Sequence, residues 1–247
     1  MSEKRWPIIE LIPNTIQGEG KDAGLPCAFA RFGGCDYQKC SWCDTPYAVE
    51  PAQVRANSTR MTAQEILDGL REMSAPAPLA PLIVLSGGNP ALHELGPLVE
   101  LLQENGHRVS VETQGSRWKQ WLADVNLLTI SPKPPSSGMV SEKHDQETAE
   151  FMAHVKMALA RPPMAVLKIV VFDEIDYRWA SAFAKRYPYE LYLSAGTPQG
   201  LDAAPTVDEI LSVYGWLCRR VANDPAMKHA RVLPQMHVLA FGTVRGV

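Results

Sequence analysis

Three cysteines within one short segment are the strongest chemical signal in the chain. Cys35, Cys40 and Cys43 follow a hydrophobic run. Thiolates at such spacing favour an iron–sulfur cluster or zinc. A structural zinc site takes four protein ligands, and so does a cluster used only for electron transfer. The nearest further thiol, Cys27, falls in a predicted strand, and Cys218 falls in a predicted helix. A trio without an obvious fourth ligand predicts a cluster with one iron open to a small ligand, which is a catalytic arrangement.

Length and charge bound the class of protein. The chain has 247 residues, 46% of them hydrophobic, which suits one large α/β domain with a full core. Lys and Arg number 24 against 27 Asp and Glu, so no basic excess indicates nucleic-acid binding. The sequence contains no apolar run of membrane-spanning length and no signal-peptide core. Five cysteines, three of them clustered, favour a reducing compartment. We therefore expect a soluble, cytoplasmic protein.

Alternating strand and helix patterns predict an α/β fold with a parallel sheet, curled into a full or partial barrel. Strands are expected at 7–13, 27–32, 82–86, 108–112, 127–130, 166–172 and 191–194. A capping box at Thr62 and Glu65 predicts the start of a helix. Further helices are expected at about 92–102, 118–123, 147–160, 180–186 and 207–221. The segments 46–60 and 136–146 show no clear period and are expected as loops, and Cys218 is expected to pack in the core.

Polar turns follow three of the predicted strands. They are Gly87-Gly-Asn-Pro90, Glu112-Thr113 and Ser131-Pro-Lys133. Because the carboxyl ends of parallel strands meet at one edge of a sheet, we expect these turns to lie beside the cysteine segment on one rim. Each turn alone is a weak signal, and their joint placement is a strong one.

Three other features bear on a ligand site, and the first two also have a purely structural explanation. The glycine-rich segment 15–20 exposes Gln17 and Glu19, either as a ligand loop or as a surface turn. Arg31 interrupts an apolar strand, so it either meets an anion or carboxylate or extends its head group to water. The tail 232–247 stays hydrophobic to its end, so we expect it to pack inward and to carry His237 and the terminal carboxylate with it.

Together these segments resemble the radical S-adenosylmethionine superfamily. The signature of that superfamily is a cysteine trio with an aromatic residue, here Trp42, before the last cysteine, followed by a Gly-Gly-Glu-Pro-like turn. Within it, the chain resembles the 7-carboxy-7-deazaguanine synthase family of queuosine and deazapurine biosynthesis. The motifs that carry this resemblance are Thr15-Ile-Gln-Gly-Glu-Gly20, Phe29-Ala-Arg-Phe-Gly-Gly-Cys35, Trp42-Cys-Asp-Thr45, Ser86-Gly-Gly-Asn-Pro90, Glu112-Thr-Gln-Gly115, Ile130-Ser-Pro-Lys-Pro-Pro135, Leu233-Pro-Gln-Met-His237 and Gly246-Val247.

The resemblance implies a single radical S-adenosylmethionine domain over 1–247, a partial (modified) TIM-like barrel whose ordered C-terminal tail closes the site. It also implies a role for each matching residue. Cys35, Cys40 and Cys43 would bind three irons of a [4Fe–4S] cluster, and Thr45 would bind Mg²⁺. S-adenosylmethionine would contact Trp42, Asp44, Gly88, Glu112, Ser131, Pro132 and Lys133. The substrate would contact Ile16, Gln17, Gly18, Glu19, Arg31, Ser86, His237 and Val247.

The implied reaction is the ring contraction of 6-carboxy-5,6,7,8-tetrahydropterin to 7-carboxy-7-deazaguanine, with loss of ammonia. A reduced cluster would cleave S-adenosylmethionine to methionine and a 5′-deoxyadenosyl radical, which would remove the hydrogen at C6. The resemblance further implies an external, flavodoxin-like electron donor and a homodimer, with no nucleic-acid or membrane partner.

Three departures from the family pattern accompany the match. Four residues rather than three separate Cys35 from Cys40, and we expect a loop bulge to absorb the extra one. Asn89 replaces the usual glutamate of the Gly-Gly-Glu-Pro turn, and Ser194 stands where the family often has glutamine near the cofactor.

Two alternative functions remain open from the sequence. An activase that makes a glycyl radical on a protein partner would use the same cluster, but it does not explain Arg31 or Thr45. A non-catalytic zinc or cluster module would use Cys27 as its fourth ligand.

Overall fold

The parallel sheet predicted from the sequence dominates the fold. The structure is a computed structural model that describes residues 3–37, 40–158, 165–197, 205–242, 244 and 246. Within these ranges nine strands form one sheet in the order β3-β1-β2-β4-β5-β6-β7-β8-β9. The strands are β1 (Trp6–Ile16), β2 (Pro26–Phe32), β3 (Thr59–Met61), β4 (Leu82–Gly87), β5 (Arg108–Thr113), β6 (Leu127–Ile130), β7 (Ala165–Val171), β8 (Glu190–Ala195) and β9 (Arg231–Leu233).

The strand directions place the chemistry at one edge. Strand β1 is antiparallel to β2 and to β3, whereas every pair from β2–β4 through β8–β9 is parallel. From β4 onward, spatial neighbours are also neighbours in sequence, as in a barrel opened between its first and last strands. The carboxyl ends of β2, β4, β5 and β6, where the predicted motifs stand, therefore share one rim. The α/β partial-barrel prediction is confirmed.

The described residues form the helices α1 (Pro51–Asn57), α2 (Ala63–Ser74), α3 (Gly96–Glu104), α4 (Glu142–Ala158), α5 (Glu174–Arg186), α6 (Val207–Ala222) and α7 (Met236–Phe241). Helices α2 to α6 contribute buried residues to the main core, on the outer face of the sheet. The predicted capping box is present, because the Thr62 hydroxyl accepts from Glu65 N while the Glu65 side chain accepts from Thr62 N. No helix among the described residues is both long enough and apolar enough to cross a membrane.

Strand periodicity divides the apolar residues between two sides of the sheet. On β4, Ile83 and Leu85 belong to the main core between sheet and helices, while Leu82 and Val84 pack with Cys27 on the inner side. A second inner cluster joins Leu127, Val166, Tyr192 and Leu233. Apart from Leu233, which ends β9, these inner residues lie in the first half of their strands. The space at the carboxyl ends of the other strands is therefore left for polar side chains.

Several predicted boundaries are wrong for local reasons. Strand β1 continues past Pro13 to Ile16, with a register irregularity between Ile12 and Thr15 where the pairing is interrupted. Helix α5 begins at Glu174 rather than near 180 because the Asp173 side chain caps it by accepting from Asp176 N. Helix α4 begins at Glu142, so the predicted loop 136–146 is helical in its second half, and residues 159–160 of the predicted helix lie outside the described residues.

Other predicted elements are shorter, longer or displaced. The predicted loop 46–60 contains helix α1 and the start of β3. The predicted helix 118–123 is only a short 3-10 turn over Gln120–Ala123. Helix α3 starts at Gly96 instead of near 92, after a separate 3-10 turn over Pro90–Leu92.

Candidate active site

A single cavity at the carboxyl rim collects most of the residues predicted from the sequence. It measures about 550 Å³, a size typical of small-molecule sites. The predicted site residues that line it are Ile16, Gln17, Gly18, Glu19, Arg31, Cys35, Cys40, Trp42, Cys43, Asp44, Thr45, Ser86, Gly88, Glu112, Ser131, Lys133 and His237. Pro132 is buried between two lining residues and does not line the cavity. Val247, predicted to contact the substrate through its carboxylate, lies outside the described residues.

The cysteine segment folds over this cavity as an irregular loop. Cys43 N donates to Cys40 O at 3.2 Å, which closes a tight turn between the second and third cysteines. The Cys35 Sγ accepts hydrogen bonds from Tyr37 N at 3.3 Å and from Gln114 Nε2 at 3.7 Å. Three thiols facing one chamber, one of them already accepting N–H groups, form a donor set that suits an iron–sulfur cluster. The predicted loop bulge that absorbs the extra residue between Cys35 and Cys40 involves Gln38 and Lys39, which lie outside the described residues.

The thiols of this loop differ in exposure, because Cys35 is buried and Cys40 and Cys43 are only partly buried. Burial raises the pKa of Cys35 to about 11, and the N–H group of Tyr37 offsets only part of this effect. Burial also raises the pKa of Cys40, against the opposing charge of Lys133. A metal that binds here must therefore displace protons, as thiolate sites generally require.

The alternative zinc site lacks its fourth ligand. Cys27 is fully buried on β2 against Leu82 and Val84, and burial raises its pKa to about 12. It does not line the cavity. Within the described part of the chain, no three His, Cys, Asp or Glu side chains are close enough to hold a single metal ion. Cys218, on helix α6, does not line the cavity either.

Asp36 fastens the cysteine loop to the neighbouring strands. Its Oδ1 accepts from Asn89 Nδ2 at 3.0 Å and from Gln114 Nε2 at 2.5 Å. Its Oδ2 accepts from Ser116 Oγ at 2.7 Å and from Arg117 Nε at 3.2 Å. One carboxylate directly after the first cysteine thus holds the loop against the ends of β4 and β5.

Asn89 explains one departure from the family pattern. The side chain is fully buried, and its Oδ1 accepts from Thr113 Oγ1 at 2.8 Å and from Ala91 N at 3.1 Å. Its Nδ2 donates to Asp36, which a carboxylate at position 89 could not do. Asparagine therefore serves this network rather than the cavity.

The two glycines before Asn89 permit a close backbone approach. A Cβ on Gly87, whose φ is 137°, would lie 2.1 Å from Phe32 O, and one on Gly88 would lie 2.1 Å from Gly34 O. Gly88 N instead donates to Phe32 O at 3.0 Å, and Asn89 N donates to Gly34 O at 2.7 Å. Any side chain here would separate the end of β4 from the segment that begins the cysteine loop.

A buried lysine connects two predicted ligand residues. Lys168 Nζ donates to Glu19 Oε2 and to Glu112 Oε1, each at 2.5 Å. Burial alone would raise the pKa of Glu19, but the charges of Lys168 and His237 outweigh it and lower the pKa to about 2. Burial alone would lower the pKa of Lys168, and the two carboxylates outweigh it and raise the pKa. Glu19 and Lys168 are therefore both ionised near neutral pH.

Arg31, a charged residue within an apolar strand, is paired with a carboxylate, which is one of the two explanations that the sequence left open. Its Nε donates to Glu10 Oε1 at 2.6 Å, and the same oxygen accepts from Tyr47 Oη at 3.1 Å. Both Glu10 and Tyr47 line the cavity beside Arg31.

The C-terminal segment reaches the same cavity. Met236 N donates to Gly18 O at 3.1 Å, and a Cβ on Gly18 would lie 2.3 Å from His237 Nδ1. Gln235 Oε1 accepts from Thr197 N at 3.1 Å. Met236 and His237 thus pack directly on the glycine-rich loop.

Trp42 contacts groups that follow two other strands. Lys133 Nζ lies 5.4 Å from the centre of the Trp42 ring, and the centre of the Phe172 ring also lies 5.4 Å from it. Trp42 Nε1 donates to Ser136 Oγ at 3.0 Å. Ser194, by contrast, does not line the cavity, and its buried hydroxyl has no hydrogen-bond partner among the described residues.

Sequence reasoning missed several lining residues. They are Glu10, Tyr37, Tyr47, Gln114, Lys168 and Gln235. Two of them carried a visible signal, because Glu10 and Lys168 are lone charges inside apolar strand runs. Gln114 and Gln235 lie within motifs quoted for the resemblance, which assigned them no role, and Tyr37 and Tyr47 lie in mixed segments without a clear signal.

Comparison with known proteins agrees with this geometry. The model of the radical SAM superfamily matches residues 30–131, from β2 to Ser131. The 7-carboxy-7-deazaguanine synthase of Bacillus cereus is 36% identical over 245 residues, covering 98% of each chain. That of Bacillus subtilis is 37% identical over 251 residues, covering 99% of each. The crystal structure of QueE from Escherichia coli, 21% identical, superposes with a TM-score of 0.64 over 94% of this chain and 95% of the other, which bears on the fold alone.

Proposed function

Because the chain belongs to the 7-carboxy-7-deazaguanine synthase family of radical S-adenosylmethionine enzymes, we propose that its rim cavity holds a [4Fe–4S] cluster, S-adenosylmethionine and a pterin substrate together. The enzyme is a carbon–nitrogen lyase that contracts 6-carboxy-5,6,7,8-tetrahydropterin to 7-carboxy-7-deazaguanine with loss of ammonia. The observation that carries this proposal is the meeting of Cys35, Cys40 and Cys43 with Glu19 and Arg31 in one chamber.

The cysteine side of the cavity would hold the cluster and its cofactor. When bound, the cluster supplies the electron that cleaves S-adenosylmethionine into methionine and a 5′-deoxyadenosyl radical. Trp42, Asp44, Gly88, Glu112, Ser131 and Lys133 would contact the cofactor. The Asp44 and Glu112 carboxylates can accept from its hydroxyl and ammonium groups, and Lys133 can complement its carboxylate. Pro132 would act indirectly, by fixing the turn that presents Ser131 and Lys133.

The opposite side would bind the pterin. Glu19 Oε1 is buried without a hydrogen-bond partner among the described residues, although Gln235 lies close enough to contribute to the low pKa of Glu19. An ionised acceptor in that position suits the N–H donors of a pterin ring, since leaving it unpaired is costly. Ile16, Gln17, Gly18, Ser86 and His237 would complete the contacts. A contact from the Val247 carboxylate stays a prediction.

The substrate carboxylate requires positive charge. Arg31 supplies a guanidinium held in place by Glu10, and the Thr45 hydroxyl offers one oxygen ligand to a Mg²⁺ ion that would also bind the substrate carboxylate. Mg²⁺ keeps several water ligands in such sites, so a single protein hydroxyl is a compatible donor set.

Two partner expectations follow from family membership. An external, flavodoxin-like donor would deliver the electron, and two chains would assemble as a homodimer. Neither depends on a particular contact among the described residues.

Turnover tests the proposal directly. The protein is reconstituted anaerobically with iron and sulfide, and about four irons per chain are expected. It is then reduced and incubated with S-adenosylmethionine, Mg²⁺ and the carboxytetrahydropterin. Formation of 7-carboxy-7-deazaguanine, identified by mass and absorption, supports the proposal. Deoxyadenosine without a deazapurine product would overturn it and would favour an activase instead.

A further inference from the structure

Lys168 is a charged group that the proposed roles leave unused. It sits in the middle of β7, where all seven residues are buried, and its side chain is only 5% exposed. Its two carboxylate partners come from separate parts of the chain, Glu19 from the loop after β1 and Glu112 from the end of β5. A buried ion of this kind is costly unless its partners are held in good geometry.

The two carboxylates belong to different ligand sites if the proposed function is correct, and the inference rests on that function. Glu19 faces the pterin, and Glu112 faces S-adenosylmethionine. Each accepts from the Lys168 ammonium through one of its two oxygens. The second oxygen of Glu19 is the buried Oε1 described above.

We propose that Lys168 is a positioning residue that sets the pterin site against the cofactor site. By binding Glu19 and Glu112 to one ammonium, it fixes the distance between the two ligand-binding carboxylates. Proximity of this kind matters because hydrogen transfer between the bound molecules depends on the spacing of the reacting carbons.

The charges around the pair support this role. Glu19 faces Lys168 from β7 and His237 from α7, with the neutral Gln235 beside it, while Lys168 faces only the two glutamates among the charged groups that shift its pKa. With Lys168 present, the pKa of Glu19 is about 2, so the carboxylate stays ionised at working pH. Without Lys168, the largest charge that lowers the pKa of Glu19 is lost, and burial raises that pKa. Pterin binding would then strengthen as pH rises through that raised pKa.

The test compares Lys168→Met with Lys21→Met. Lys21 lies two residues from Glu19 and also pairs with a glutamate, Glu190, at 2.6 Å, but it is about 29% exposed and does not line the cavity. The affinities of S-adenosylmethionine and of the pterin are measured on the cluster-loaded, unreduced proteins between about pH 6 and about pH 9, so that no turnover occurs.

Lys168→Met is expected to lower the affinity for both ligands on the order of tenfold or more. Its affinity for the pterin should rise with pH. Lys21→Met should stay within about twofold of the wild type, because a partly exposed pair contributes little. Glu19→Gln should lower mainly the affinity for the pterin, and Glu112→Gln mainly the affinity for S-adenosylmethionine. A residue that positions both sites should, when replaced, lower the affinity for both ligands. Replacing either of its carboxylate partners should lower the affinity for one ligand only.

Equal affinities in Lys168→Met and Lys21→Met, or a loss confined to one ligand, would overturn the inference. If Lys168→Met does not fold, Lys168→Gln is measured against Lys21→Gln with the same criteria. The proposed function fails separately, when the wild type makes no deazaguanine. In that case the loss of S-adenosylmethionine affinity in Lys168→Met still decides whether the lysine holds Glu112.

Discussion

At the scale of single residues, buried side chains at the strand ends hold the cysteine loop in place through hydrogen bonds. Asn89 links Asp36 in the loop, Thr113 at the end of β5 and the turn after β4 through one buried amide. The sequence places Asn89 correctly at a strand end. It does not indicate that the side chain faces away from the cavity, because that depends on which residues of three separate segments meet.

The buried amide gives a first prediction. Asn89→Asp brings a second carboxylate against Asp36 and removes a donor, so we expect a loss of about 1–3 kcal/mol in unfolding free energy. Iron bound after reconstitution should fall as well. The matched control is Asn105→Asp, since Asn105 is exposed and accepts from Arg71. Thermal unfolding measures the loss of stability, and iron analysis measures the bound iron. Equal stability and equal iron content in the two variants would contradict the role assigned to Asn89.

The cysteines give a second prediction. Cys40→Ala should abolish cluster-dependent turnover while the apo-protein keeps its fold, because Cys40 lies on an irregular loop rather than in the core. Cys218→Ala should retain the cluster and turnover, since Cys218 lies on α6 away from the cavity. Full turnover by Cys40→Ala would refute the ligand assignment.

At the scale of elements, the C-terminal segment is more regular than its sequence suggested. Its hydrophobicity predicted inward packing, which is confirmed only in part. Strand β9 pairs with β8, and His237 and Val238 of α7 line the cavity, whereas Phe241 and Val244 are exposed. The strand pairing itself was not predicted, because three residues are too few to show a period. The closure of the site by this tail stays a prediction.

A third prediction tests the docking of this tail. Gly18→Ala places a Cβ 2.3 Å from His237 Nδ1 and 2.8 Å from His237 N, so α7 must shift. We expect pterin affinity to fall about tenfold, equivalent to about 1.4 kcal/mol, with unchanged iron content. Gly215→Ala is the control, because its Cβ would have only ordinary contacts within α6 and alanine should stabilise that helix by about 1 kcal/mol. Equal pterin affinity in both variants would show that the contact is irrelevant.

Element prediction succeeded where periodicity was strong and failed where a cap or a bulge decided the boundary. The strands from β4 to β8 were found because continuous apolar runs alternate with helices. The early start of α5 depends on Asp173, whose capping role could have been noticed, whereas the extension of β1 past Pro13 depends on pairing with β2.

At the scale of the molecule, the rim gathers side chains from almost the full length of the chain. The parallel order of the strands made the shared edge predictable, and with it most lining residues. The ion pairs across the rim, Glu19–Lys168–Glu112 and Arg31–Glu10, were not predictable, because register and strand curvature decide which charges meet.

A fourth prediction concerns removal of the cluster. Chelation should loosen the cysteine loop and the turns bonded to Asp36, while strands β6 to β8 keep their protection, because their core contacts do not involve the loop. Amide hydrogen exchange before and after chelation measures this. Uniform loosening across the sheet would contradict it, and Cys40→Ala, already without the cluster, should not respond.

In the proposed cluster site, where Cys35 is a ligand, the two hydrogen bonds to its sulfur would have an electrochemical consequence. Donors directed at a cluster ligand stabilise the added negative charge of the reduced state, and so they raise the reduction potential. Tyr37 gives its bond from the backbone, whereas Gln114 gives its bond from a side chain. The choice of residue at position 114 can therefore adjust how strong a reductant the electron donor must be, without altering any residue proposed to bind the substrate.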